Sequence, residues 1–215
     1  MADIFQEIDE ELRRERLAKL WQRHGKLVIA LAAAVVVGTA LYVGWQRYQE
    51  NRRLTLAEQY GAAVALTDPG TGDLAKADAA LAQLAEQGGG YGALAALERA
   101  AVKAKAGDLE GAAAIYDGLA KDTSAPAILR DLALLLKAMR LLDSGDPAAL
   151  TASLEPLTAP ANPWRFSARE LIGLLALKSG NQAQATEVFT QLADDQSAPA
   201  ALRARAAELV AALKG

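Results

Sequence analysis

Histidine occurs once in this chain, at His24, and cysteine does not occur at all. A transition-metal site needs several imidazole or thiolate ligands converging on one ion, so these counts exclude the usual zinc geometries together with thiol catalysis and disulfides. No serine has a lysine three residues after it, which is the spacing that a serine nucleophile and its lysine base share in S-x-x-K acylases. Gly88-Gly89-Gly90 is not followed by a Lys-Ser/Thr pair, so it lacks the side chains with which a phosphate loop holds a nucleotide. It reads as a flexible join. The acids alternate with Lys and Arg at helical spacing, as on a solvated face, and Asp194-Asp195 falls where a loop is expected. The residues therefore predict no enzyme: no catalytic residue, no cofactor-binding residue, no metal ligand and no cofactor. With a net charge of −3 and no basic face, no nucleic-acid partner is expected either.

The elements themselves are more informative than their chemistry. Leu27 to Trp45 reads LVIALAAAVVVGTALYVGW, nineteen residues without a charge. At about 1.5 Å rise per residue, roughly 20 apolar residues cross a hydrocarbon core of about 30 Å. Trp21 on one side and Tyr42, Trp45 and Tyr48 on the other suit the headgroup level, and Lys26 and Arg47 bracket the run. A cleaved signal peptide is disfavoured, because the twenty-six residues before the run hold six acids and no A-x-A site follows it. Six Lys and Arg (Arg13, Arg14, Arg16, Lys19, Arg23, Lys26) precede the run, against three (Arg47, Arg52, Arg53) after it. This asymmetry predicts a cytoplasmic N-terminus. The expected organisation is a charged helical tail over 1–26, a membrane-spanning helix over 27–45 and an external domain over 46–215. Asp3 is expected to cap a helix beginning at Ile4, with Ile4, Ile8 and Leu12 on one face and Leu17 and Leu20 on another.

Beyond Trp45 the helical pattern continues to Thr67, where Asp68-Pro69-Gly70 ends it. Gly-Asp or its near equivalent then recurs at Gly72-Asp73, Gly107-Asp108, Gly145-Asp146 and Gly180-Asn181, in steps of 35, 38 and 35 residues. A helical hairpin needs such a pair, a glycine that takes positive φ at one helix end and a carboxylate or amide that caps the next helix. Seven residues before each Gly stand Ala65, Ala100, Ala138 and Gly173; five after it stand Ala77, Ala112, Leu150 and Ala185. Leu81, Tyr116, Leu154 and Phe189 follow at nine, and Leu84, Leu119, Leu157 and Leu192 at twelve. Small residues let paired helices approach, while the bulky ones fill the space between repeats. Ser124-Ala125-Pro126-Ala127-Ile128-Leu129-Arg130 also recurs as Ser197-Ala198-Pro199-Ala200-Ala201-Leu202-Arg203, 73 residues on.

This pattern resembles the tetratricopeptide repeat. The expected fold is all-α: one N-terminal spanning helix, then a right-handed solenoid of about four degenerate hairpins and a capping helix from Pro199 to Lys214. Arg99 and Lys137 depart from the repeat where it carries Leu, and Pro147, Pro156, Pro160 and Pro163 interrupt the third unit. The charged start MADIFQEIDEELRRERLAKLWQRHGK, the single anchor, the continuing helix and the degenerate units together look like the YfgM family of bacterial inner-membrane proteins. That resemblance implies an ancillary subunit of the SecYEG translocon whose periplasmic domain associates with periplasmic chaperones in protein secretion. The other reading is an envelope scaffold that self-associates as a homo-oligomer or links the membrane to wall or division proteins.

Overall fold

The computed structural model describes residues 2–68, 70 and 72–214. Every regular element among them is helical, with no strand. Helix α1 (Ala2–Ala65) includes the apolar stretch, and the chain divides within it into two compact units, 1–55 and 56–215. Asp3 already lies within α1, so it cannot supply the cap expected of it. The side chains of Ile4, Ile8, Leu12, Leu17 and Leu20, and those of Arg13, Arg14, Arg16 and Lys19, lie outside the described residues, as does Pro69.

In the first unit, the apolar stretch forms one helix long and apolar enough to cross a membrane, and none of its most apolar window is buried. A core helix of a soluble fold would hide that surface. The hydroxyl of Thr39, within the stretch, donates to the carbonyl of Val35 at 2.8 Å, so this polar group is satisfied without water.

The second unit begins at Leu56 and continues through α2 (Leu74–Ala85), α3 (Gly89–Lys105), α4 (Leu109–Lys121), α5 (Ala127–Arg140), α6 (Pro147–Leu154), α7 (Arg165–Lys178), α8 (Gln182–Asp194) and α9 (Ala200–Lys214). Successive helices from α2 onward pack on one another, and α3 also meets α5 and α5 meets α7. That second set of contacts lines up the first helices of successive hairpins as one layer, which makes the stack a solenoid.

The recurring dipeptides do what their chemistry suggests at the caps. The side chains of Asp73, Asp108, Asp146 and Asn181 each accept backbone N–H bonds from the turn that follows, satisfying donors that a helix start leaves unpaired. The glycines divide. Gly107 and Gly180 take positive φ, 87° and 78°, whereas Gly72 and Gly145 do not: the connections before them are longer, and in the first of these φ turns positive at Gly70. The helix also stops at Ala65 rather than Thr67, so Ala65 is its exposed last residue and Ala63 is the buried one.

All twelve residues at the five, nine and twelve offsets are buried. They fall into four successive apolar clusters, each built from one unit and the start of the next. In the third unit the prolines shorten α6 to eight residues and place Leu157 in a 3-10 turn, Glu155–Thr158, where it is still only 1% exposed. The loop that follows is tied back to α5: Asn162 Nδ2 donates to Asp131 at 2.8 Å and Trp164 Nε1 to the carbonyl of Ile128 at 3.0 Å. Gly88 and Gly89 both take positive φ and form a short connection from α2 into α3.

Candidate functional site

Arg99 and Lys137, which stand where the repeat carries Leu, each link one hairpin to the one before it. Arg99 Nε meets Asp78 of α2 at 2.9 Å, and Lys137 Nζ meets Asp117 of α4 at 2.7 Å. Each cation stands eight residues before its Gly-Asp mark and reaches back to the preceding helix. An aliphatic stem followed by a charged tip satisfies both the apolar seam and its wet edge, which a leucine could not do.

The same layer of first helices borders an open cleft of about 340 Å³, lined by Thr67, Glu98, Ala101, Val102, Ala104, Lys105 and Arg140. These residues come from the turn after α1, from α3 and from the end of α5. Glu98, Ala101 and Lys105 share one stripe of α3, at the i, i+3 and i+7 positions of a helix. Lys105 Nζ donates to the carbonyl of Thr67 at 3.1 Å, joining α3 to the turn after α1.

Tyrosines flank this stripe. The rings of Tyr60 and Tyr91 are 6.2 Å apart and tilted by 54°, within the range in which ring quadrupoles attract. Burial raises the pKa of the Tyr60 hydroxyl above its ordinary value, and the negative charge of Glu98 adds to the rise. Burial likewise raises that of Tyr116, against the opposing pull of Arg140, whose guanidinium faces its hydroxyl. Both phenols therefore remain neutral donors at physiological pH. Arg140 is exposed beyond that contact.

The groove thus offers two cations, one carboxylate and apolar floor residues, which is chemistry for holding a polypeptide segment. His24, for which no role was expected, is exposed on α1. Among the described residues, no group of three or more His, Asp or Glu converges as metal ligands would. Sequence reasoning missed Glu98, Lys105 and Arg140. The i, i+3, i+7 spacing of Glu98, Ala101 and Lys105 was visible, but the same spacing marks any solvated helix face, and only the packing of α5 against α3 brings Arg140 to it.

A family model described as a tetratricopeptide repeat-like domain matches residues 18–212, the apolar stretch and the repeats together. No curated protein and no solved structure matches the chain. Domains of this kind are in general protein-interaction modules rather than enzymes, so protein partners as a class follow from the match.

Proposed function

We propose that this chain, which belongs to the tetratricopeptide repeat-like domain family, is a single-pass inner-membrane protein whose external domain holds segments of partner proteins. The observation that carries the reading is the pairing of one helix suited to a bilayer with a charged groove built from successive first helices. Residues 1–26 are the cytoplasmic tail, 27–45 the span and 46–215 the periplasmic domain. The resemblance of the charged start, anchor and degenerate units to the YfgM family makes the translocon the favoured neighbour. There the domain would recruit periplasmic chaperones to emerging chains. Tethering supports this role, since holding the domain at the membrane raises the effective concentration of a partner located there and modest affinity then suffices.

A photo-crosslinker at Ala101 in intact cells tests the reading. Adducts to translocon subunits or periplasmic chaperones are expected, and Lys105→Glu combined with Arg140→Glu should remove most of them. Adducts that persist undiminished in the double variant, or a domain that captures no envelope protein, would refute the groove as the binding surface.

A further inference from the structure

Cations at the seams of the stack are matched by its own acids. Besides Arg99 and Lys137, Lys178 Nζ lies 3.1 Å from Asp143, Arg205 lies 2.9 Å from Glu170, and Arg169 reaches Asp195 at 3.6 Å. The two cations of the cleft between α3 and α5 are held differently. Lys105 Nζ donates to the backbone carbonyl of Thr67, and the guanidinium of Arg140 faces the hydroxyl of the buried Tyr116. A carbonyl and a neutral phenol fix the position of a cation without cancelling its charge. Glu98 lines the same cleft and offsets one of the two charges, so one excess positive charge remains. Other clefts of the stack differ in sign. One of about 420 Å³ against α6, α7 and α8 is lined by Glu155 and no cation, and one of about 600 Å³ against the end of α1 and α2 by no ionisable side chain.

We infer that the cleft between α3 and α5 selects partner segments with a single acidic side chain inside them, its carboxylate seated between Lys105 and Arg140, which rests on the proposed role of this cleft as a protein-binding surface. One carboxylate brings the cleft to neutrality. A phosphate, at about −1.5 to −2 charges, leaves a net negative site beside Glu98, and a nucleic acid needs a longer run of cations than two. A basic segment meets Lys105 and Arg140 with like charge. The cleft is open and has Ala101, Val102 and Ala104 along it, so an extended chain can lie across it with uncharged neighbours of the acid against these small residues. Glu98 sets the limit. It repels a second acid beside the first, so one acid among uncharged residues suits the cleft better than an acidic run.

Fluorescent peptides with both ends blocked, identical except for a central Glu, Gln, Lys, phosphoserine or run of three Glu, test this by anisotropy with the full-length protein in neutral detergent. A further peptide, with central Gln and a free C-terminal carboxylate, tests the chain end as the source of the charge. The single-Glu peptide should bind tightest and weaken as salt is raised. Lys105→Gln and Arg140→Gln should each weaken it by about fivefold, as for loss of a solvent-exposed ion pair. Glu98→Gln should tighten the triple-Glu peptide most, and Lys105→Glu with Arg140→Glu should reverse the order so that the Lys peptide binds tightest. Equal binding of the single-Glu and Gln peptides, tighter binding of the phosphoserine or free-end peptide, an unchanged order in the double variant, or no binding of any peptide would overturn the inference. The proposed function fails separately. Crosslinks from Ala101 in cells that map onto partner segments without an acid leave the cleft a binding surface and sink only its preference, whereas the absence of crosslinks sinks both.

Discussion

Gly173 marks the closest approach between two helices of the last hairpin, since a Cβ there would lie 2.7 Å from Cε1 and Cζ of Phe189. The ring is fully buried and cannot swing aside. Gly173→Ala should therefore destabilise by about 1–3 kcal/mol through overpacking. Gly118, in the exposed face of α4, has nothing within 4 Å of its would-be Cβ, so Gly118→Ala should stabilise by roughly 0.5–1 kcal/mol through helix propensity. Urea unfolding of the two variants checks both signs. Asp122 and Asp195 occupy matching turns, each accepting a hydrogen bond from the N–H of the serine two residues on, at 2.8 and 2.9 Å. The serine hydroxyls of Ser124 and Ser197, and then these backbone N–H bonds, hold both carboxyls below the usual range. A pKa lower in the folded state means that the stabilisation is complete above the unfolded-state value and is lost as pH falls through the folded one. Asp122→Asn with Asp195→Asn keeps an acceptor at each turn but removes the titration. Thermal scans of the double variant should show a shallower loss of stability from pH of about 5 to about 2 than the parent does.

At the scale of elements, the ion pairs connect hairpins whose shared seam is alanine and leucine. Lys137 and Asp117 have side-chain exposures of 19% and 40%, so solvent screens the pair and its coupling should be below about 1 kcal/mol. A double-mutant cycle of Lys137→Met and Asp117→Asn measures it. Most of the adhesion should instead come from the buried clusters, where Leu154, Leu157 and Leu175 meet with almost no exposure. That division explains how the third unit accepts four prolines. Pro147 sits at the first turn of α6, where its missing N–H removes no bond, and the later prolines fall in the 3-10 turn and the loop that Asn162 and Trp164 tie to α5.

For the whole molecule, the asymmetry of Lys and Arg around 27–45 predicts that alkaline phosphatase fused after Gly215 is active and that a cytoplasm-dependent fluorescent protein fused there stays dark. Bright fluorescence would reverse the orientation and with it the periplasmic assignment of the groove. Residues 51–215 without the anchor should be soluble and give a helical circular dichroism spectrum, because the clusters of the second unit are built from residues after Leu56.

What the sequence determined by itself was everything carried by local periodicity. Alternation of small and bulky residues at fixed offsets from a Gly-Asp mark specified hairpins, caps and the twelve core positions, since each such choice depends on neighbours within one helical turn or one repeat. An uncharged run of nineteen residues was legible for the same reason. The tertiary structure decided where chains of local choices meet. It replaced Ala65 by Ala63, because the length of the first connection resets the register of its helix. It turned Arg99 and Lys137 from irregularities into links, and it brought Arg140 of α5 to Glu98 and Lys105 of α3. Such meetings depend on how far each hairpin rotates on the last, a sum of small packing displacements across the whole stack that no single repeat encodes.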